Sequence, residues 1–217
     1  MIRTQYYIAI CLISASLLVA TTAYASASVN EVKQRIGNGN PVAGKSKSEL
    51  CQGCHGEFGL SAEDLIPNLA GQYASYIAKQ LRNFQSGARK HEIMSAMAKT
   101  ISDAELNDIT AYFASQKKMQ GNGKGGNAVA KNLFLHGDAK RDIPACASCH
   151  GVNGKGQAPN VATYPVIGGQ HKAYLHAQLA HWRDGERSNS PNGMMNKVAK
   201  TLTDAEIEAL AGYLSGL

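Results

Sequence analysis

Cys51-Gln52-Gly53-Cys54-His55-Gly56 is answered later in the chain by Cys146-Ala147-Ser148-Cys149-His150-Gly151. The two hexapeptides do not stand alone. Gly71-Gln72-Tyr73-Ala74-Ser75-Tyr76-Ile77 is matched by Gly169-Gln170-His171-Lys172-Ala173-Tyr174-Leu175. Ala98-Lys99-Thr100-Ile101-Ser102-Asp103-Ala104-Glu105 is matched by Ala199-Lys200-Thr201-Leu202-Thr203-Asp204-Ala205-Glu206. The blocks follow in the same order in both halves, so the chain holds two copies of one domain of roughly 90 residues.

Each copy reads as helical. Ser102 with Glu105, and Thr203 with Glu206, are capping boxes, in which a hydroxyl and a carboxylate satisfy free amides at a helix start. Behind them Leu106, Ile109 and Phe113 recur at helical spacing, as do Ile207, Leu210, Ala211 and Leu214. A middle helix carries Tyr76, Ile77, Leu81 and Phe84 in one copy and Tyr174, Leu175, Leu179 and Trp182 in the other. Gly87 and Gly185 follow as C-caps. A further helix near Lys45 to Cys54 leads into the first cysteine motif, and Ala128 to His136 opens the second copy. Residues 26–43 read as a loose leader. The stretch 119–127, Met-Gln-Gly-Asn-Gly-Lys-Gly-Gly-Asn, reads as a Gly-rich linker with no chemistry of its own. The expected organisation is a first domain over 26–118, the linker, and a second domain over 128–217.

Cys-x-x-Cys-His is the attachment signature of c-type haem. Two thiols one helical turn apart can add to the two vinyl groups on one porphyrin edge, and the adjacent His then reaches the iron. Three other uses of such cysteines compete: a redox-active pair, a zinc site and a plain disulfide. A redox pair does not need the following His. For a zinc site, two thiols and one His per copy leave a fourth ligand unexplained. Two copies of the whole motif, with no spare cysteine outside the leader, favour two covalent haems with Cys51, Cys54, Cys146 and Cys149 as the attachment points and His55 and His150 as iron ligands.

The start of the chain agrees with attachment outside the cytoplasm. Arg3 precedes an apolar run from Ile8 to Ala20, and Ala23-Tyr24-Ala25 places small residues where a signal peptidase reads. Residues 1–25 are therefore expected to be a cleaved signal peptide. The run is short for a membrane span, and Cys11, inside it, is not at the cut. Cleavage deletes Arg3 and no acid, leaving 21 basic against 16 acidic residues, a balance of +5. Four haem propionates would offset most of that charge, so the basic balance does not point to nucleic acid. The short runs Arg89-Lys90-His91 and Lys117-Lys118 read as solvated surface.

An electron-carrying iron needs a sixth ligand, and methionine raises its potential. Copy one offers Met94 and Met97; copy two offers Met194 and Met195. Met94 stands eight residues before Ser102 and Met195 eight before Thr203, whereas Met97 faces Val198 and Met194 faces Ile93. Only Met94 and Met195 are methionine in both copies, and they are assigned as axial ligands; the alternative is that all four fill core space. His91, His136, His171, His176 and His181 have no counterpart in the other copy and read as surface or structural residues. An iron-bound His donates its other ring proton to a fixed acceptor. Pro67 and Pro165, each ahead of the repeated Gly-Gln, are expected to offer their carbonyls.

With the tandem motifs, the Gly-Gln-x-x-x-Tyr segments, the two Met-to-capping-box spacings and the closing Tyr213-Leu214-Ser215-Gly216-Leu217, the chain resembles the dihaem cytochrome c4 family over nearly all of residues 26–217. The resemblance implies an all-α protein of two tandem class I cytochrome c-like domains related by pseudo-twofold symmetry. It implies a periplasmic carrier, peripherally membrane-associated in some members, that takes electrons from a quinol-oxidising complex and passes them toward a terminal oxidase. Carried over, the thioether cysteines fall on Cys51, Cys54, Cys146 and Cys149 and the iron ligands on His55, Met94, His150 and Met195. One departure is the short segment from Ala88 to Ile93. No repeated acid, base or nucleophile cluster accompanies the motifs. The expectation is therefore a carrier with redox-protein partners, neither an enzyme with a small-molecule substrate nor a nucleic-acid binder. Two other readings share the fold: a dihaem subunit of a flavocytochrome dehydrogenase of the sulfide dehydrogenase type, and a dihaem peroxidase. The loops before Met94 and Met195 differ in length and charge, which predicts unequal haem potentials.

Overall fold

Asn40 opens the helix Pro41–Lys47 because its Oδ1 accepts from the amides of Val42 (2.9 Å) and Ala43 (3.2 Å), while Pro41, which has no amide to satisfy, takes the first helical position. The structure, a computed structural model, describes Glu31, residues 33–157 and residues 164–217. The expected signal peptide lies outside the described residues. The loose-leader reading is corrected over its described part: residues 33–36 are helical, and the chain enters the helix labelled α1, Pro41–Lys47, at Asn40. That helix crosses α5, Asp103–Ser115, so closely that a Cβ on Gly44 would lie 2.0 Å from the Asp108 carbonyl oxygen. Lys47 seals the crossing with an ion pair to Asp108 at 2.5 Å.

The single helix expected over Lys45 to Cys54 is two. Helix α1 stops at Lys47 and α2, Glu49–His55, follows after the buried Ser48. The cause is local. Ser48 Oγ and Gln52 Nε2 both donate to the Lys45 carbonyl, at 3.0 and 2.7 Å, so the end of α1 is satisfied by side chains and the chain can change direction.

The rest of the first half is α3, Ala74–Ser86, then α4, Glu92–Lys99, then α5. The second half runs α6, Ala128–His136; α7, Cys146–His150; α8, Lys172–Asp184; α9, Met194–Ala199; and α10, Asp204–Ser215. Helices α3 and α8 end at Gly87 and Gly185, whose φ values of +79° and +82° need glycine. Both capping boxes form at the starts of α5 and α10. Among the described residues there is no strand, only the isolated bridges Asp138–Ile143 and Gln157–Tyr164.

Each half has its own apolar core. Leu81, Phe84, Leu106 and Phe113 anchor the first; Phe134, Trp182, Ile207 and Leu210 anchor the second. Burying such side chains stabilises each half by roughly 1.5–3 kcal/mol per residue. Residues 35–217 nevertheless form one compact unit.

What joins the halves is partly the stretch read as an idle linker. Met119 is 2% exposed and packs with Tyr73 and Val166, one from each half. Its neighbours lie on the two repeated glycines: a Cβ at Gly71 would meet Lys118 Cα at 2.3 Å, and one at Gly169 would meet Gln120 at 2.7 Å. Farther on, Gly121 and Gly123 donate to the Leu217 and Gly216 carbonyls at 2.8 and 2.9 Å. Lys155 Nζ collects the carbonyls of Met119, Gly168 and Leu217 at 3.0–3.2 Å. The connector is glycine-rich because it must pass this close to other backbone.

Candidate functional site

Helix α2 is only as long as the first cysteine motif needs. It places Cys51 half-buried against the first core, Cys54 exposed, and His55 buried at its last position. The chain then turns at Gly56, and the Gly59 carbonyl accepts from both Leu69 (2.7 Å) and Ala70 (2.9 Å), which folds residues 59–70 into a closed loop. That loop brings the Pro67 carbonyl to His55 Nδ1 at 2.8 Å, as expected. Burial pushes the His55 ring below the usual histidine range, partly offset by the Pro67 bond. The ring is therefore neutral, its Nδ1 proton is held by the carbonyl, and its Nε2 lone pair is left to bind a metal.

The second half repeats this arrangement. Cys146 and His150 bracket α7, Gly154 takes the place of Gly59 and accepts from Ile167 and Gly168, and the Pro165 carbonyl lies 2.9 Å from His150 Nδ1. Burial again pushes the His150 ring down and raises the Cys146 thiol to about 11. The shared glycine after His-Gly was present in the sequence as His-Gly-x-x-Gly in both copies, and its role was missed. At Gly59 and Gly154, φ is +76° and +63°, and a Cβ would press on backbone nitrogen at 2.8 and 2.9 Å.

The four methionines separate by packing. Met94 on α4 lies against the same core as Cys51, and Met195 on α9 against the same core as Cys146. Met194 is 37% exposed, and Met97 is part of neither core. Both packed methionines sit on short helices rather than in loops. Helix α4 is capped by His91, whose Nδ1 accepts from the Met94 amide at 3.3 Å, and α9 follows a tight turn, Pro191–Gly193, with φ of +54° at Asn192. Among the described residues no three His, Cys, Asp or Glu side chains converge as a metal cluster, which weighs against zinc. A donor set of one neutral His and one thioether per core fits haem iron.

The halves meet through their repeated residues, in exchanged pairs. Arg187 Nη2 reaches Tyr76 OH (3.2 Å) and Gln80 (3.2 Å), and its Nη1 reaches Gln178 (2.7 Å). Arg89 Nη2 reaches Tyr174 OH (3.1 Å) and Gln178 (2.9 Å), and its Nη1 reaches Gln80 (2.9 Å). Each guanidinium stacks on the core aromatic of its own half, Arg187 on Trp182 at 4.3 Å and Arg89 on Phe84 at 4.7 Å. Lys79 joins them, and burial, then the charges of Arg187 and Arg89, push its amine below the usual lysine range. Burial raises the Tyr76 phenol, yet the two arginine charges and the Arg187 hydrogen bond together hold it below its ordinary value. Arg89 is thus part of the interface, which corrects its reading as solvated surface. Its flank follows a positive sequence run, but only the fold shows that it faces a second arginine. Among the described residues neither arginine pairs with a carboxylate; amide and phenol oxygens satisfy both guanidinium groups. His171 is structural: its Nε2 lies 3.1 Å from the Ser61 carbonyl in the other half.

No helix among the described residues is long and apolar enough to cross a membrane. The cytochrome c family model matches residues 42–117 and 130–217. Cytochrome c4 of Thiocapsa roseopersicina is 40% identical over 181 residues, covering 82% of this chain and 93% of that protein. The thiosulfate dehydrogenase electron acceptor of Thiomonas intermedia strain K12 is 37% identical over 182 residues, covering 80% and 81%. Among solved structures, reduced recombinant cytochrome c4 from Pseudomonas stutzeri superposes with a TM-score of 0.75 at 37% identity, covering 82% of this chain and 99% of that one.

Proposed function

Because the chain belongs to the cytochrome c4 group of the cytochrome c family, a dihaem electron-transfer cytochrome with two covalent haems c and redox proteins as partners, we propose that it is a periplasmic shuttle. In this reading it accepts electrons from a quinol-oxidising complex, delivers them toward a terminal oxidase, and catalyses no reaction of its own. Residues 1–25 are removed as a signal peptide, residues 26–118 and 128–217 carry one haem each, and 119–127 joins them.

The observation that carries this is the matched pair of donors in each core. Burial holds the His55 and His150 rings below the usual histidine range, the Pro67 and Pro165 carbonyls aim them, and Met94 and Met195 pack against the cores that hold Cys51 and Cys146. Cys51, Cys54, Cys146 and Cys149 hold the porphyrins, and His55 with Met94 and His150 with Met195 ligate the irons. Bound haem supplies one-electron chemistry. The chain's own residues keep the ligands fixed in an apolar setting, so little must rearrange when an electron arrives, and the thioether favours the reduced state.

The test is the visible spectrum of the reduced protein with and without carbon monoxide, with haem counted in the same sample. Two haems per chain and an unchanged spectrum support capped irons and a carrier. A change at one haem means an open position and turns the reading to a peroxidase. Mass spectrometry of the protein from the periplasmic fraction should find Ser26 as its first residue.

A second reading has a specific support. A relative named for accepting electrons from thiosulfate dehydrogenase matches 80% of this chain. In this reading the protein docks on a dehydrogenase and collects its electrons, as in the flavocytochrome alternative but with a thiosulfate-oxidising partner. Rapid reduction of the purified protein by such an enzyme and thiosulfate, and none by a quinol-oxidising complex, would favour it.

A further inference from the structure

The repeated Gly-Gln dipeptides cross between the halves. Gln72 Nε2 donates to the Val166 carbonyl and its Oε1 accepts from the Val166 amide, both at 2.9 Å. Gln170 does the same to Asn68, at 2.9 and 2.8 Å. The two amide groups cannot be turned around. Each Oε1 also accepts from the next amide of its own chain segment, Tyr73 at 3.1 Å and His171 at 3.0 Å. All four partners are buried, Gln72 at 4%, Gln170 at 5%, Asn68 at 7% and Val166 at 2% exposure, so water does not compete.

The amides they bind have a second role. The Val166 N–H belongs to the peptide unit whose carbonyl is that of Pro165, the acceptor for His150 Nδ1. The Asn68 N–H belongs to the unit whose carbonyl is that of Pro67, the acceptor for His55 Nδ1. One peptide therefore holds the ring of one half at its oxygen and the glutamine of the other half at its nitrogen. Hydrogen bonds through one peptide reinforce each other. A donated N–H makes the carbonyl a stronger acceptor, and a stronger acceptor makes the imidazole a better electron donor to its metal. Better donation favours ferric iron and lowers the potential.

We propose that Gln72 and Gln170 are crossed positioning residues: Gln72, in the first half, tunes the iron held by His150, and Gln170, in the second half, tunes the iron held by His55. Each haem's potential then depends on a side chain from the opposite domain. This rests on His55 and His150 being the iron ligands.

The test uses the haem-loaded, full-length protein with Gln72→Met and Gln170→Met, which keep side-chain length and remove both hydrogen bonds to the opposite half together with the one to the next amide. Each haem's potential is followed by NMR redox titration through its own axial-methionine methyl signal, and exchange of the Asn68 and Val166 amides is read in parallel. Gln72→Met is expected to raise the potential of the haem on His150, leave the one on His55 unchanged, and speed exchange at Val166. Gln170→Met is expected to do the converse. No shift, equal shifts at both haems, or a shift only in the substituted half overturns the proposal. Should Met separate the halves, Gln72→Glu retains an acceptor for the Val166 N–H and is expected not to raise the potential of the haem on His150; a rise there overturns the proposal equally. Absence of both methyl signals in the unsubstituted protein overturns the methionine assignment alone, and each potential is then followed through that haem's own ring-methyl signals; absence of the crossed pattern overturns the proposal in either case.

Discussion

Side-chain chemistry alone does not choose among Met94, Met97, Met194 and Met195, because all four are flexible thioethers. The repeat chooses by register, and the packing favours the same pair: Met94 and Met195 lie on the cores that hold Cys51 and Cys146, while Met194 is 37% exposed. Met195→His should keep both haems and lower the potential of the second-half haem, since imidazole favours ferric iron more than a thioether does. Redox titration checks this, and an unchanged potential would remove Met195 from the ligand set. Met94→Ala should open one iron, so that carbon monoxide alters half of the haem absorption, whereas Met194→Leu should leave the spectrum as it was. The glycines after the histidines matter at the same scale. Gly59→Ala forces a side chain onto φ of +76° and onto the Ala70 nitrogen, and should cost about 2 kcal/mol in chemical denaturation.

Helices α5 and α10 start with the same capping box but are anchored differently. In α10 the box carboxylate, Glu206, is also gripped by Arg141 at 2.6 and 3.0 Å, and that pairing, with the Thr203 bonds, holds its pKa down at about 2. Glu105 in α5 has no such arginine; there Lys47 and Asp108 tie α1 to the helix instead. The sign of the pH effect follows. A depressed carboxylate stabilises the folded state above its unfolded pKa of about 4.3, and the gain is lost as pH falls through about 2. The pair is partly open to water, so the gain is about 1 kcal/mol. Glu206→Gln should lower stability by that amount at pH 7, with the difference from the parent vanishing near pH 2 in urea melts. At this scale the capping boxes, the middle helices and α6 were legible because each rests on nearest-neighbour chemistry. The break at Ser48 was not, because it depends on Gln52 reaching back to the Lys45 carbonyl.

For the molecule as a whole, the repeated residues serve two ends. Gly71 and Gly169 let the connector pass, Gln72 and Gln170 reach the opposite half, and Tyr76 and Tyr174 receive the opposite arginine. Arg187→Met should therefore act on both halves. It strips hydrogen bonds from Tyr76, Gln80 and Gln178 inside the interface, and leaving such groups unpaired should cost about 3 kcal/mol. It also removes a positive charge stacked on Trp182 of the second core, which should lower the potential of that half's haem, since a nearby cation favours the added electron. Thermal melts and redox titration read the two effects separately.

The sequence by itself determined that there are two copies, that each is helical, where the two Cys-x-x-Cys-His motifs stand and which methionines correspond. These are properties of spacing and repetition along one chain, and a motif such as Cys-x-x-Cys-His works within a single helical turn. Only the tertiary structure decided what the repeated Gly-Gln-x-x-x-Tyr is for, that Arg89 is an interface residue, and that the Gly-rich stretch is threaded between the halves. Those roles are contacts between residues about a hundred positions apart, such as Gln72 with Val166 and Arg89 with Gln178. A local pattern carries no record of which distant backbone it will meet, because that meeting is set by how two finished cores pack.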